Sequence, residues 1–528
     1  MNINYQSTMK KIYLALGAML VSLSTMAQGE MDAYRFSKSG ISGTSRSAAM
    51  AGSFGALGGD LSTMGTNPAG MAVYSRTDAN ITINFLTTDT KGSYESNPKL
   101  MTNDRYETTL GNASVVFSND GRGSLVRWNL GFGYNELYSY SRAYGAASID
   151  SHASLSNYMA NLVYGIDESK FGRNSDDMNW ATVPWLANMG YWGYAIDPVS
   201  SVGGKQAWVS SFDGLFDQIT EFKETGSANE YTFNASFNIE DRLYLGTTFS
   251  LTNIAYSSWT SYDENIGGDS DFGLGLENML TSSGNGYNFK FGAIYRPIPE
   301  IRLGVAYHTP TYYRYVTDTY YANFYGYGIE VPDGVKSKVI DTEVFSPEIS
   351  TTYRYRTPDK WIFSLATTIA RFAMVNVDYE LVDYDNMTLK YGLDENVSEY
   401  IKDDFGAMHT VRLGLEARPL KWLSLRGGVM AQSSPFEFDL DKGTLAVSVK
   451  DYNPSFMVDK GSMHYTFGLG FRLGRLLYTD LACVLSNYYE DLYSFPDFEM
   501  PNGDWVEIEK GTVRTDRTKI MWTIGCVF

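Results

Sequence analysis

The chain ends in Lys519-Ile-Met-Trp-Thr-Ile-Gly-Cys-Val-Phe528, and this stretch decides the fold class. From Ile520 onward every second residue is apolar, while Lys519, Thr523 and Gly525 are polar or small. Side chains alternate between two faces along a β-strand, so the pattern predicts a strand with one apolar face. A buried strand of a soluble β-sandwich shows the same alternation, and repetition elsewhere in the chain has to distinguish the two.

The same alternation recurs upstream in residues 127–134, 301–307, 411–418 and 465–473. In each segment, aromatic or aliphatic side chains share one face, and glycine or charged side chains share the other. Soluble sandwiches follow the opposite rule, with aromatic residues inside and charges outside. A transmembrane barrel needs an apolar band toward lipid and a polar or small row toward its lumen. The repetition therefore predicts an all-β, antiparallel transmembrane β-barrel.

The sequence predicts fourteen strands, whose connections alternate between tight turns and long external segments. The longest connection covers residues 141–228. The even count requires residues 348–371 to form one strand with a bend at Pro358. The predicted strands are 78–88, 106–118, 124–140, 229–240, 242–258, 286–297, 300–315, 350–370, 372–389, 406–418, 420–434, 463–474, 475–490 and 513–528.

The composition of the 528-residue chain fits a barrel and excludes other classes. It has 42 basic and 60 acidic side chains, and this acidic balance argues against nucleic acid as a partner. The 40 tyrosines and 28 phenylalanines suit the lipid face and its interface, and the 50 glycines suit the lumen. Tyrosines near the predicted strand ends suggest an aromatic girdle, formed by Tyr138, Tyr140, Tyr312, Tyr313, Tyr315, Tyr379, Tyr384, Tyr488 and Tyr489.

The excess acid lies largely in the predicted loops, for example at Asp403-Asp404 and Glu490-Asp491. A solvated face and divalent-cation bridging to lipopolysaccharide are both compatible with it. Two cysteines, Cys483 and Cys526, and four histidines provide neither a disulfide framework nor a metal site. No histidine stands in a nucleophile motif, so we expect no enzymatic activity, no metal and no cofactor.

The N-terminus has the form of a secretory signal peptide. Lys10 and Lys11 precede a short apolar run, residues 12–23, and small residues around Ala27 suit a signal peptidase. The run is shorter than the ~20 residues that a membrane-spanning helix needs. We therefore expect residues 1–27 to be removed and the protein to reach the outer membrane of a Gram-negative-type bacterium.

Residues 28–77 lack strand alternation and are rich in glycine, alanine and serine. They include Phe54 and Leu57 and end near Asn67-Pro68-Ala69. We expect this segment to form a hatch that plugs the lumen of the barrel formed by residues 78–528. A disordered periplasmic leader is the alternative interpretation.

Here the sequence resembles the FadL/TodX family of outer-membrane transporters for long-chain fatty acids and other hydrophobic compounds. The segment ending in Asn67-Pro68-Ala69 is similar to the family's N-terminal plug. Weaker similarities lie in residues 295–310, in residues 414–428, and in Thr357-Pro358-Asp359-Lys360 with the later Asp378-Tyr379. The resemblance spans the mature chain and implies fourteen strands.

The resemblance also implies passive uptake: capture in an external groove, movement past the hatch, and sideways exit through a gap at the third strand. That strand contains Gly131 and Gly133, where a missing side chain permits a kink or simply lines the lumen. Apolar residues of the connection 141–228 form either the groove or packed cap helices: Leu155, Tyr158, Leu162, Trp185, Leu186 and Trp192.

Inward-facing arginines suggest either a site for a fatty-acid carboxylate or a paired lumen network, which we favour; they are Arg127, Arg302, Arg412 and Arg472. Expected partners are fatty acids and aromatic hydrocarbons, outer-membrane lipid with lipopolysaccharide, and the barrel-assembly machinery through the Phe528 strand. A haem or hemin receptor and a structural or adhesion barrel remain alternative functions.

Overall fold

The computed structural model describes residues 29–175, 177–202, 204–333, 336–369, 372–390, 397–437 and 452–528. The predicted signal peptide, residues 1–27, lies outside the described residues, as does part of the predicted connection 435–462. Within the described ranges, no helix combines the length and apolarity required to cross a membrane.

In the described part of the chain, fourteen antiparallel wall strands close into a barrel, which confirms the predicted fold class. The first strand pairs with the last from Asp78–Val527 to Tyr94–Gly511, and this pairing closes the sheet. Three of these wall strands are divided into two or three segments. The wall strands are β1 (Asp78–Tyr94), β2 (Met101–Asp120), β3 (Leu125–Ser139) continued by β4 (Arg142–Ser151), β7 (Phe216–Ile239), β8 (Leu243–Ile266), β9 (Asp269–Ile298), β10 (Ile301–His308) continued by β11 (Tyr312–Asp333), β12 (Lys336–Phe345) continued by β13 (Ile349–Arg356) and β14 (Lys360–Ile369), β15 (Ala373–Asp383), β17 (Ala407–Leu420), β18 (Leu423–Gln432), β19 (Phe456–Leu473), β20 (Leu477–Tyr493) and β23 (Gly511–Val527).

Short strands and helices complete the described chain. The short strands are β5 (Ile196–Val202), β6 (Lys205–Ser210), β16 (Thr388–Lys390), β21 (Phe498–Glu499) and β22 (Trp505–Val506). The α-helices are α1 (Glu30–Ser37), α2 (Ser45–Ala48), α3 (Leu155–Leu162), α4 (Trp185–Trp192) and α5 (Val397–Asp404). The 3₁₀ helices are Leu61–Met64, Pro68–Val73, Glu168–Lys170 and Tyr384–Asn386.

The outer face of the barrel has an apolar belt. On β9, Phe289, Phe291 and Tyr295 share an exposed face, whereas Lys290 and Ile294 between them are buried on the inner face. A belt of exposed aromatic and aliphatic side chains is unfavourable in water and favourable in hydrocarbon, so this face is built for lipid. The bend at Pro358 separates β13 from β14 within one wall strand, at the position that the sequence predicts.

The strands extend further from the membrane than the sequence predicts. The predicted external loop 259–285 consists mostly of β8 and β9, joined by a two-residue turn at Gly267-Gly268. Both glycines have positive φ, as a tight hairpin turn requires. Beyond the lipid, outward positions of β9 such as Thr281 and Ser283 are polar, whereas Leu274, Leu276 and Leu280 are buried on the inner face. The apolar-outward alternation that predicts a membrane-spanning strand therefore disappears.

The predicted aromatic girdle is only partly right. Tyr312 and Tyr315 face outward, whereas the neighbouring Tyr313 is 4% exposed and points inward. Tyr140 and Tyr384 are also buried. Adjacent residues of a regular strand face opposite sides, so clustered tyrosines near a strand end cannot all lie at the interface.

Candidate functional site

Residues 29–77 lie in the lumen and run against the inner face of the wall. Asn67 is fully buried, and its side-chain amide donates to the carbonyl of Gly55 at 2.6 Å. Its Oδ1 accepts from the N–H of Ala69 at 3.1 Å and so caps the 3₁₀ helix Pro68–Val73. Asn67-Pro68-Ala69, predicted as hatch residues, therefore fix a fold of this segment against the barrel wall.

Inward-facing glycines of the wall allow the backbone of the hatch to approach the wall closely. A Cβ at Gly304 would lie 2.5 Å from the carbonyl oxygen of Gly55, and one at Gly428 would lie 2.7 Å from the carbonyl carbon of Met50. Both separations are too short for any side chain. Gly246 and Gly414 meet the hatch backbone in the same way, and Gly292 and Gly468 meet the side chains of Asn67 and Ala49.

The hatch also packs its own apolar side chains against the wall. Phe54 and Leu57, which the sequence analysis assigned to the hatch, are buried and cluster with Met50 and with Ala366 of β14. This packing gives the segment a core, which a disordered leader lacks.

A buried ionic cluster joins the hatch to the wall at Glu416 of β17. The Glu416 carboxylate is fully buried and accepts from Arg46 of the hatch at 2.8 Å, from Arg426 at 2.7 Å and from Arg418 at 2.6 Å. Arg426 continues the cluster to Asp480 at 2.5 Å. Burial acts to lower the pKa of Arg46, but the facing carboxylates outweigh it, so the pKa rises above its ordinary value.

The four arginines that the sequence analysis selected have separate surroundings. Arg302 donates to the carbonyl of Leu57 in the hatch, and Arg412 pairs with Glu380 at 2.9 Å. Arg127 lies 3.6 Å from the exposed Asp120, beside the turn between β2 and β3. Arg472 is exposed near the end of β19. Arg412 thus belongs to an ion pair and Arg302 to a contact with the hatch, and the four arginines do not come together as a carboxylate site.

The wall opens between β2 and β3. These strands pair from Asp120–Arg127 to Asn112–Asn135, and the pairing stops there. The outer half of β2, from Met101 to Leu110, continues to pair with β1. β4, which continues the wall strand after the break that follows β3, pairs with β7 and not with β2.

Two glycines let β4 fold inward across β1. A Cβ at Gly92 would lie 2.0 Å from the carbonyl oxygen of Gly145, and one at Gly145 would lie 2.8 Å from the carbonyl oxygen of Thr220. Thr90 of β1 also donates a hydrogen bond to the carbonyl of Ala143. Sequence reasoning missed this site, because a glycine in the inward row looks the same whether it faces a strand or the hatch.

Side-chain hydrogen bonds close the separation between β2 and β3. The Glu136 carboxylate of β3 accepts from Thr109 of β2 at 2.7 Å and from Asn84 of β1 at 2.9 Å. Further out, Ser139 donates to Glu107 at 2.6 Å. No backbone ladder joins β2 to β3 at this level, so side-chain hydrogen bonds alone connect the two strands here.

Gly131 and Gly133 lie just below the separation, in the paired part of the ladder. They face Val116 and Ser114 of β2, and a side chain at either glycine would meet Met64 of the hatch. The opposite face of this wall carries an apolar notch of about 460 Å³ beside Phe132 and Phe233. The wall is therefore thin here, with the hatch on one side and the membrane face on the other.

A central cavity of about 70 Å³ lies against helix α1 at the start of the hatch. Its cations face carboxylates: Arg35 lies 3.5 Å from Glu224, Arg142 lies 2.5 Å from Glu490, and Lys38 lies 3.4 Å from the same Glu490. Tyrosine and methionine side chains complete the lining, including Tyr34, Tyr138, Tyr140, Tyr144, Tyr256, Met31 and Met457.

Arg517 of β23 lines both this cavity and a smaller one behind the separation. Its guanidinium lies between the rings of Tyr138 and Tyr488, at 5.1 and 5.7 Å from their centroids, and donates to the carbonyl of Ser139 at 3.0 Å. It is 7% exposed, its Nε has no hydrogen-bond partner, and it forms no ion pair within the described part of the chain. Sequence reasoning did not select it.

The long connection 141–228 folds into a cap. Four of the six predicted groove residues are buried in the cap core: Leu155, Tyr158, Trp185 and Leu186. Leu162 and Trp192 are half-buried against the same core. The structure therefore favours packed cap helices over a groove, because the apolar faces of α3 and α4 pack within the cap. An open cavity of about 370 Å³ lies elsewhere on the cap, beside Trp208, Phe212 and Met500.

Among the described residues, no group of three or more His, Cys, Asp or Glu side chains is placed to hold a metal ion. His464 lies between Ser462 at 3.0 Å and Ser486 at 2.7 Å. His308 contacts the carbonyl of Thr66 at 2.7 Å. Both histidines are satisfied by neighbouring polar groups.

Comparison with solved structures identifies this architecture. A crystal structure of a Pseudomonas aeruginosa FadL homologue matches with a TM-score of 0.53 over 92% of this chain and 99% of that one, at 13% identity. The chain has the FadL fold. The Pseudomonas putida toluene transporter TodX matches at a TM-score of 0.49 and 11% identity, and the Ralstonia pickettii toluene transporter TbuX at 0.47 and 12%. Each covers 92% of this chain and 99% of the other.

At this level of identity the likeness establishes the FadL fold alone. No protein-family model matches the sequence. No curated protein matches it either.

Proposed function

We propose that this protein is an outer-membrane channel of the FadL/TodX family that takes up hydrophobic compounds and releases them sideways into the membrane. The observation that carries the proposal is the separation of β2 from β3 beyond Asn112 and Asn135. An unpaired strand edge is costly at a lipid-facing wall. This separation is closed only by side chains and is made possible by Gly92 and Gly145. We therefore infer that it serves as the exit for the transported compound.

The filled lumen supports sideways release. Hatch and wall are in backbone contact at Gly304 and Gly428, and Arg46 anchors the hatch to Glu416. Straight passage along the barrel axis would require these contacts to break together. Passage through the seal at Glu136 requires only side-chain hydrogen bonds to break.

The open cavity beside Trp208 is the candidate for capture from outside. Its volume, about 370 Å³, falls within the range of small-molecule sites. Since the predicted groove residues are buried, we assign capture to this cavity, with Phe212 and Met500 as apolar contacts. The outward face of the cap gives it direct access to the medium.

The central cavity is the next position that the ligand occupies on its route. At about 70 Å³ it holds a few water molecules and is too small for a long acyl chain. A ligand must therefore displace side chains of α1, such as Tyr34 and Arg35, from the cavity. The structure then corresponds to the closed state of the channel, and loading precedes release.

The ligand class follows from the route and from the solved structures of this fold. The solved proteins are described as toluene transporters and as a FadL homologue, which supports small hydrophobic compounds as cargo. Fatty acids and aromatic hydrocarbons are both candidates. Arg517 lacks a carboxylate partner in the described part of the chain and lines the path to the seal, so it is available to a ligand's polar end.

Uptake into cells tests the proposal. A strain that lacks the gene is supplied with the protein or with an empty vector, and accumulation of labelled oleate and labelled toluene is followed over time. We expect faster accumulation of at least one compound with the protein present. Equal accumulation with both, for every member of a wider hydrocarbon panel, would reject the proposal.

A further inference from the structure

A group of cations lies on the outer face of the wall, on three adjacent strands. It consists of Arg314 on β11, Arg354 and Arg356 on β13, and Lys390 on β16, and we call it the cationic patch. Arg314, Arg354 and Lys390 are exposed, and Arg356 is half-buried. Arg354 alternates with the buried Tyr353 and Tyr355, so its side chain points outward.

The patch stands just outside the apolar belt. Tyr287 is an exposed aromatic residue of β9 above Phe289 and Phe291, and it pairs with Tyr312, their rings 5.7 Å apart. Tyr312 in turn pairs with Arg356, whose guanidinium lies 6.0 Å from the tyrosine ring. Exposed Tyr rings of this kind mark the level of lipid headgroups. The cations therefore begin where the hydrocarbon ends.

The register places like charges side by side. Arg354 is the direct cross-strand partner of Lys390, and the pair Arg356–Thr388 lies two positions further along the same strands. Neighbouring strands lie about 4.8 Å apart, and like charges facing each other at that spacing repel. Arg314, Arg356 and Lys390 form no ion pair in the described part of the chain. An external anion is the source of compensation that we infer for these three cations.

The described acidic residues that border the patch do not supply that compensation. Asp359, Asp383 and Asp385 border the patch on the side of β14 and β15. None of them forms an ion pair with the cations within the described residues. The chain as a whole is acidic, with a formal charge of -18, so an exposed basic group at the headgroup level is not the result of a generally basic surface.

We propose that the cationic patch binds the phosphate groups of a lipid in the outer leaflet. Arginine presents a planar fork of donors that fits a phosphate, and phosphate monoesters are the strong anions found at headgroup level. Tyr312 and Tyr315 hold the guanidinium groups of Arg356 and Arg314 against the interface, the latter at 5.3 Å. The site is independent of transport, because it lies on the lipid side of the wall.

Lipid retention by the purified protein tests this site. The probe is diphosphorylated lipid A, compared with the same acylated disaccharide without phosphates, in nonionic detergent containing EDTA. EDTA removes divalent ions, so bridging through Asp359, Asp383 or Asp385 cannot produce binding. We expect native mass spectrometry to detect bound lipid A with the wild-type protein and about tenfold weaker binding without the phosphates.

The variant Arg314→Gln/Arg354→Gln/Arg356→Gln/Lys390→Gln is expected to bind diphosphorylated lipid A at least about tenfold more weakly. The double variant Arg314→Gln/Lys390→Gln is expected to give an intermediate loss and serves if the quadruple variant does not fold.

Two outward basic residues on other strands provide a matched control. Lys91 and Arg514 lie 3.9 and 2.8 Å from Asp516, so their charges are already compensated. The variant Lys91→Gln/Arg514→Gln should bind lipid A as the wild type does. Equal binding by the wild type and the folded patch variants would overturn the proposal. Binding that does not depend on the phosphates, or no binding at all, would overturn it as well.

Discussion

Arg46 of the hatch and Glu416 of β17 form a buried ion pair, with 2.8 Å between Nε and Oε2. Glu416 also accepts from Arg426 and Arg418, so one carboxylate carries three guanidinium groups. The pair joins residues 370 positions apart in the chain and links the luminal segment to the wall. The Glu416 side chain therefore contributes to the seating of the hatch on the wall.

Replacing Glu416 with Gln should loosen the hatch. The three arginines would then share a neutral amide, and removal of one partner from a buried ion pair typically costs about 3–5 kcal/mol. We expect faster amide hydrogen exchange in residues 45–60, while the barrel itself remains folded. The control is Arg127→Gln, since Arg127 faces an Asp120 side chain that is 93% exposed, and such pairs contribute about 0–1 kcal/mol. Unchanged exchange in Glu416→Gln would contradict the anchoring role.

Two adjacent glycines of β18 should respond differently to the same substitution. A Cβ at Gly428 would meet the backbone of Met50 at 2.7 Å, whereas one at Gly427 has its nearest neighbour at 3.7 Å. We expect Gly428→Leu to displace the hatch and to increase the uptake of a small hydrophilic dye into cells. Gly427→Leu should leave dye uptake at the wild-type level. Equal uptake by the two variants would show that the hatch does not rest on Gly428.

Period-two alternation was sufficient to predict the fourteen strands within the membrane, including the bend at Pro358. It failed above the membrane, where β8 and β9 continue to Gly267 and Gly268. Lipid imposes apolar outward side chains, and water does not, so the pattern stops at the interface even though the sheet continues. The sequence therefore predicts the membrane-embedded part of the wall better than its external part.

The site was less accessible to prediction. Asn67 and Phe54 were assigned to the hatch from composition and resemblance, and both lie in the lumen against the wall. The inward fold of β4 depends on Gly92 meeting Gly145, which are 53 residues apart and carry no local signal. The cap residue Trp185 looked like a groove residue because its apolar neighbours are the same in a groove and in a core.

Contact between the loop helix α5 and the hatch helix α1 should weaken as pH rises. Burial raises the pKa of Asp404 to about 6, with Asp403 adding to the effect and Glu30 opposing it. An unfolded Asp titrates near pH 3.9, so between about pH 4 and pH 6 the folded form binds the extra proton. Stability from this group is then lost across that window as pH rises, and it is constant above it.

Hydrogen exchange in residues 397–404, corrected for its intrinsic pH dependence, measures this effect. We expect protection at about pH 4 to exceed that at about pH 7. Asp404→Asn should abolish the difference by keeping the side chain neutral. A pH dependence that persists in Asp404→Asn would assign the effect to another group.

Larger side chains at Gly133 should reduce transport. A Cβ there would lie 2.8 Å from Met64 of the hatch and 2.6 Å from Ser114 of β2. Both neighbours are side chains, so we expect Gly133→Leu to fold into a barrel with a displaced Met64 and slower uptake of the transported compound. Gly131→Leu should act in the same direction. Normal uptake in both folded variants would remove this part of the wall from the exit route.

Reversible closure of the separation between β2 and β3 tests the central claim most directly. Glu107→Cys and Ser139→Cys replace two side chains that now touch across it, in a background with Cys483→Ala and Cys526→Ala. A short reducible bis-thiosulfonate then bridges the two strands. As a control, Ser257→Cys and Thr281→Cys bridge directly paired positions of β8 and β9.

Uptake of the transported hydrophobic compound is measured before bridging, after bridging and after reduction. The account predicts that the Glu107→Cys/Ser139→Cys bridge stops most uptake, that reduction restores it, and that the control bridge has no effect. Undiminished uptake by the fully bridged protein would contradict sideways release between β2 and β3.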